Sequence, residues 1–158
     1  MRHTLSILVE NKPGVLTRVT SLFARRGFNI DSLAVGETED PKLSRITIVT
    51  GVESAPLEQI IKQVYKLINV IKVTNLKSEE SIARELAMFK ITCPPEKRHE
   101  VFAIVNVFNA SVVDVSKNTV MVEATGSDDK LASLEDIFRG YGIKEMARTG
   151  VIALGRGE

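Results

Sequence analysis

Asn11-Lys12-Pro13-Gly14-Val15-Leu16 carries the clearest chemical opportunity in this chain. An apolar run enters this stretch and an amphipathic run leaves it. The first backbone N–H groups of a helix lack internal partners, and the helix dipole is positive there. A small anion can dock on them. Gly14 has no side chain to block that approach. Asn11 adds a neutral amide able to cap the helix or to hold an amine or a carboxylate. No arginine cluster is present, so one carboxylate suits the stretch better than a polyphosphate. Hydrogen bonds to a charged group are worth ~1.5–3 kcal/mol each, and the dipole adds ~0.3–1 kcal/mol. Two or three such bonds, less the cost of association, imply an affinity of roughly 10 μM to millimolar. A tight strand–helix turn with no ligand accounts for the same spacing, and spacing alone does not separate the two readings.

The other reactive side chains form no constellation. Cys93 lies in a strand-like run with no histidine near it in sequence, and a buried thiol is the simpler account. His3 stands beside a terminus, and His99 lies among Lys97, Arg98 and Glu100. No His-x-x-x-His or Cys-x-x-Cys spacing exists, so a zinc site is not expected. No Walker loop is present. Gly140-Tyr141-Gly142 and Gly155-Arg156-Gly157 lack a third glycine and read as a cap and a tail. Glu37, Glu39 and Asp40 read as a solvated turn, with a weak cation site as the minor alternative. Arg25-Arg26 and Lys97-Arg98 are short basic pairs at helix ends. Without an acid–base pair or an activated nucleophile, the chain reads as a binding or regulatory module, not an enzyme.

The bulk properties agree. The chain has 158 residues, room for one ordinary domain or two small ones. A hydrophobic content of 44% suffices for a core, and a net charge of +1 disfavours a generic nucleic-acid or acidic-membrane surface. Aromatics at 5% leave little for a base-stacking platform. One cysteine permits no internal disulfide. No run approaches the length of a membrane span. Residues 1–9 alternate instead of following a signal layout. The expectation is a cytoplasmic protein, or a mature organellar one.

The elements that must position the Asn11–Leu16 stretch are legible. Residues 4–9 alternate as a strand. Residues 12–26 read as a helix with Val15, Leu16, Val19, Leu22 and Phe23 on one face. Pro13 suits its first turn, and Gly27 suits a left-handed cap. Strands come next at 28–36 and 44–52, joined by a turn at 37–43. Ser54 is a plausible N-cap for a helix with Leu57, Ile60, Ile61, Val64, Leu67 and Ile68 in one stripe. A strand at 69–76 completes β-α-β-β-α-β. Two interleaved right-handed crossovers give a four-stranded sheet with both helices on one face, the ferredoxin-like plait. Its other face stays open and needs water or a partner.

The order then repeats. Residues 84–93, 110–115, 119–125 and 143–154 read as strands, and 96–108 as a helix. A second helix starts at Ser127, with Asp128 and Asp129 in its first turn, and ends at Gly142. The chain is therefore expected to be α+β, two tandem ferredoxin-like plaits: residues 1–76, a linker at 77–83, and residues 84–158. The second half lacks the Asn-x-Pro-Gly element.

Asn-x-Pro-Gly-x-Leu after a first strand, within β-α-β-β-α-β, resembles an ACT domain, a class of amino-acid-sensing modules. "HTLSILVENKPGVLTRVTSLFARRGFNIDSLAVG", "RELAMFKI", "VVDVSKNTVMVEATG" and "EMARTGVIALGRG" resemble, in order, the signatures of the small subunit of acetohydroxyacid (acetolactate) synthase. The resemblance covers the whole chain. It implies a non-catalytic regulatory subunit in branched-chain amino-acid biosynthesis. Such a subunit binds and activates the catalytic large subunit and confers feedback inhibition by valine, or by leucine or isoleucine. Thiamine diphosphate, FAD and magnesium would belong to the catalytic subunit, with no cofactor or metal in this chain. The resemblance further implies a homodimer through the ACT domains, with the effector at their interface. Its carboxylate and amine would meet Asn11 and the backbone of Gly14, Val15 and Leu16, and Asn29 and Ile30 of the second copy would complete the pocket. A free-standing ACT-type sensor acting on transcription or another enzyme is the alternative. Neither nucleic acid nor membrane is expected as a partner.

Overall fold

The computed structural model describes residues 2–157. The chain divides into two compact units. In the first, strand β1 (His3–Glu10), helix α1 (Val15–Arg25), strands β2 (Ile30–Glu37) and β3 (Leu43–Thr50), helix α2 (Ser54–Tyr65) and strand β4 (Val70–Leu76) succeed one another. The sheet order is β2-β3-β1-β4, antiparallel throughout. This is the expected plait. Leu5, Ile7 and Val9 alternate with polar residues, so one face of β1 is apolar, and Ile46 and Ile48 continue that face on β3. Val15, Val19 and Phe23 of α1 and Leu57, Ile60 and Val64 of α2 close over it. Each fully buried side chain of this size contributes roughly 1.5–3 kcal/mol.

Three details differ from the sequence reading. Ser54 is the first residue of α2 and not its N-cap, a place taken by Glu53 with no side-chain cap bond. Helix α1 begins at Val15, not Lys12, because Gly14 has φ +83°, outside the right-handed helical region. Pro13 therefore lies in the turn ahead of the helix. Ile68 lies past the end of α2 and is 89% exposed, so the apolar stripe stops at Leu67. The C-terminus of α1 is as expected. Gly27 has φ +72°, and the N–H of Phe28 donates to Phe23 O at 2.9 Å, the closing bond of a Schellman cap.

The second unit contains β5 (Ser81–Thr92) from Arg84 onward, α3 (Arg98–Val107), β6 (Ser111–Val115), β7 (Thr119–Gly126), α4 (Asp128–Arg139) and β8 (Ile143–Arg148). Its sheet order is β6-β7-β5-β8, with Phe89 and Phe138 meeting edge to face in the core at 5.4 Å. The Ser127 hydroxyl accepts from the Lys130 N–H at 3.3 Å and caps α4 as expected.

Of the described residues, 2–83 together with 151–157 form the first unit, and Arg84–Gly150 the second. The expected linker contains a turn of 3-10 helix (Ser78–Glu80) and the start of β5. The expected last strand, 143–154, breaks at Gly150, whose φ is +87°. Beyond this glycine the chain forms a separate strand, β9 (Ile152–Gly155). The N–H of Val151 donates to Ser32 Oγ on β2 at 2.7 Å, and the N–H of Arg156 donates to Glu80 O at 2.7 Å. Ala153 between them is buried. The sheet face away from the helices, expected to be open, thus carries the chain's own C-terminal segment.

Candidate functional site

The left-handed Gly14 turns the chain from β1 into α1 with no side-chain cap on the helix. The Val15 N–H reaches back to Lys12 O at 3.4 Å. The N–H groups of Gly14, Leu16 and Thr17 have no acceptor among the described residues. The first turn of α1 carries no acidic residue, so nothing on the helix answers its positive end. A Cβ placed on Gly14 would meet nothing within 4 Å, so the approach to these donors is open. The backbone contacts expected at Gly14, Val15 and Leu16 lie in this turn; the Val15 N–H faces Lys12 O at 3.4 Å, and the Thr17 N–H is a further open donor beside them.

Asn11 stands beside this turn, with its Nδ2 donating to Pro41 O at 3.0 Å and to Glu37 Oε1 at 3.3 Å. It ties the end of β1 to the β2–β3 turn. Lys12 Nζ lies 2.7 Å from Glu10 Oε2, and its hydrogen bond and charge hold the Glu10 carboxyl below its usual range. Arg18 donates to Asn69 Oδ1 at 2.7 Å, fixing the second turn of α1 against the start of β4. Val15 is buried in the core and Leu16 is 37% exposed, so Val15 anchors the turn and Leu16 faces outward.

Asn29 and Ile30 are elsewhere. Ile30 pairs with Thr50, which pairs with His3, so they sit at the end of the sheet where β1 begins. Asn11 and Gly14 lie where β1 finishes. The 11 residues of α1 run between the two ends, about 16 Å at 1.5 Å per residue. One chain therefore presents two half-sites too far apart for one small molecule. Asn29 Nδ2 donates to Asp31 Oδ1 at 3.0 Å.

Among the described residues no alternative centre competes. Cys93 is fully buried; burial pushes its thiol pKa up, and the charge of Arg98 opposes this only in part. The described residues contain no group of three or more His, Cys, Asp or Glu placed to hold a metal. No described helix is long and apolar enough to cross a membrane.

The βαββαβ sheet with its open, glycine-started first helix has the architecture of an ACT domain, and the match to that family fixes the class. Residues 5–72 match the model of the AHAS small subunit-like ACT domain, and residues 84–157 match that of the small subunit of acetolactate synthase. The chain belongs to the acetolactate synthase small-subunit family. A probable acetolactate synthase small subunit of Archaeoglobus fulgidus is 52% identical over 157 residues, 99% of this chain and 98% of that one. An acetolactate synthase small subunit of Mycolicibacterium smegmatis is 54% identical over 155 residues, 98% and 91% of the two chains. The crystal structure of the Thermotoga maritima small subunit superposes with a TM-score of 0.92 at 41% identity, covering 100% of this chain and 99% of that one.

Proposed function

We propose that the chain is a non-catalytic regulatory subunit that activates a catalytic acetolactate synthase subunit in the cytoplasm and relays feedback inhibition to it. The effector is a branched-chain amino acid, valine in the first instance, held between the ACT domains of two copies. Thiamine diphosphate, FAD and magnesium reside in the catalytic partner.

The observation that carries this reading is the separation of the half-sites. Free amides at Gly14, Leu16 and Thr17 occupy one end of the sheet, and Asn29 and Ile30 the other. A second copy with its β2 antiparallel to the first β2 brings them together. The start of one β2 then lies beside Glu37 at the end of the other, and Glu37 already contacts Asn11. The twofold axis makes two equal sites. Of the two sheet edges, β2 is the one free to pair. On β4, the Tyr65 hydroxyl accepts from the Val73 N–H at 2.9 Å and donates to Val73 O at 3.1 Å, blocking the middle of that edge. The β2 edge carries Leu33 and Val35, 36% and 46% exposed, which self-pairing would cover.

A pocket between copies links ligand occupancy to quaternary arrangement, and a coupling of ~1–3 kcal/mol suffices for feedback. The test is acetolactate formation by the cognate catalytic subunit, with and without this chain and with and without valine. The expected result is a higher rate that valine lowers. An unchanged rate with no valine effect overturns the proposal. Gly14→Asp places a carboxylate at the anion end and is expected to abolish the valine effect while leaving activation intact.

A further inference from the structure

We propose that Asp31 is a specificity-determining residue of the effector site, which it makes selective for an α-ammonium group by fixing the orientation of the Asn29 amide. This rests on the effector site proposed for the ACT-domain pair. A carboxylate such as that of Asp31 only accepts hydrogen bonds. Facing it at 3.0 Å, the Asn29 amide must present Nδ2. Its Oδ1 is thereby turned away from Asp31 and has no partner among the described residues. The carboxylate has neighbours on its other side. Arg2 Nε lies 3.8 Å from Oδ2, and a Cβ on Gly51 would come within 3.4 Å of the same oxygen, so Asp31 packs close against that backbone. The backbone of Asn29 is fixed as well, its carbonyl accepting from Thr50 Oγ1 at 2.7 Å.

The two half-sites are therefore opposite in character. The α1 end offers donors, and the Asn29 end offers an acceptor backed by a carboxylate. An α-amino acid bridging two copies places its carboxylate on the first and its ammonium on the second. The corresponding α-keto acid has the same carbon skeleton and carboxylate but brings a carbonyl oxygen to Asn29 Oδ1, acceptor against acceptor. Replacing Asp31 by asparagine removes the constraint. The new amide can donate to Asn29 Oδ1, letting the Asn29 side chain turn over and present its NH2 group.

The experiment is calorimetric titration of the full-length protein with L-valine and, separately, with its α-keto acid, 3-methyl-2-oxobutanoate. The wild type is expected to bind valine at least 10-fold more tightly. Asp31→Asn should weaken valine about 10-fold without weakening the keto acid, so the ratio falls toward one. Asp31→Ser, which also removes the charge, should lose the valine preference too. A merely structural role for Asp31 would weaken both ligands alike and leave the ratio unchanged, and that result overturns the inference while the site reading stands. Failure of the wild type to bind either ligand overturns both.

Discussion

The backbone N–H of Val151 donates to the Ser32 hydroxyl at 2.7 Å, joining an edge strand of the first sheet to a residue 119 positions later. The chain leaves the second unit at Gly150 and is captured at once by β2. Ser32 is partly buried, and the segment continues through buried Ala153 to the Arg156–Glu80 bond.

Ser32→Ala leaves the Val151 N–H without its acceptor. The expected cost is about 1 kcal/mol, read as a fall of roughly 2–4 °C in the thermal midpoint for a chain of this size. Amide exchange should show faster deuteration at Val151 than in the wild type. An unchanged midpoint with unchanged exchange would show that the segment is held by other contacts.

Periodicity carried the two plaits. Phe23, Ile48, Leu57 and Ile60 fall where a 3.6- or 2-residue repeat places them, and they are fully buried. What the pattern could not supply was the path of residues 143–157. An apolar run that alternates through Gly150 looks like one strand, and only the left-handed φ at that glycine separates β8 from β9. The candidate site divides in the same way. Asn11, Pro13 and Gly14 are visible because turn chemistry is local. The distance between Gly14 and Asn29 depends on strand register, and the link from Asn29 to Asp31 on side-chain geometry. Neither leaves a mark in residue spacing.

Gly14 has two separable roles, left-handed conformation and open access. Its φ of +83° strains any L side chain, while the space around its Cα is empty. Gly14→Ala is therefore expected to cost about 1–2 kcal/mol from backbone conformation alone, measured by urea unfolding. Gly14→Asp should cost a similar amount, and it alone should also repel a carboxylate from the α1 donors. Equal loss of valine binding in both variants would show that backbone conformation, not charge, controls the site.

Cys93 is fully buried and should behave as packing, not as a reagent. Desolvation raises its thiol pKa, with the positive charge of Arg98 pulling the other way. The native thiol thus stays protonated at neutral pH. In an aromatic disulfide assay it should react at least 100-fold more slowly than in the urea-unfolded chain, since the thiolate is the nucleophile. The linkage has a definite sign. With the folded pKa above the unfolded one, this group's contribution is fully present below the ordinary thiol range. It is lost as pH rises through the folded value. Stability should fall on the alkaline side in the wild type, and less steeply in Cys93→Ala. Identical alkaline profiles would mean that the thiol does not titrate with unfolding.

Glu85 is a carboxylate buried at 7% exposure, and it is held by two donors: Arg148 Nη2 at 2.8 Å and the Gly150 N–H at 3.2 Å. Burial works against the Arg148 charge, but the hydrogen bond and attraction of Glu85, with Asp128 adding to them, outweigh it and keep its pKa above the usual value. Removing the carboxylate leaves the Arg148 guanidinium with Asp128 alone, at 3.3 Å, and takes the acceptor from the Gly150 N–H. Breaking a fully buried pair costs ~3–5 kcal/mol. The Arg148 side chain is 32% exposed and can turn to water, so Glu85→Leu should cost less, about 2 kcal/mol. Glu85→Gln keeps one acceptor and should fall between Glu85→Leu and wild type. Adding Arg148→Met to Glu85→Leu removes the charge that has lost its buried partner and should recover part of the loss, because desolvating the pair offsets much of its attraction. A double-mutant cycle by chemical denaturation measures this directly. Strictly additive losses would show that Glu85 serves Gly150 and not Arg148.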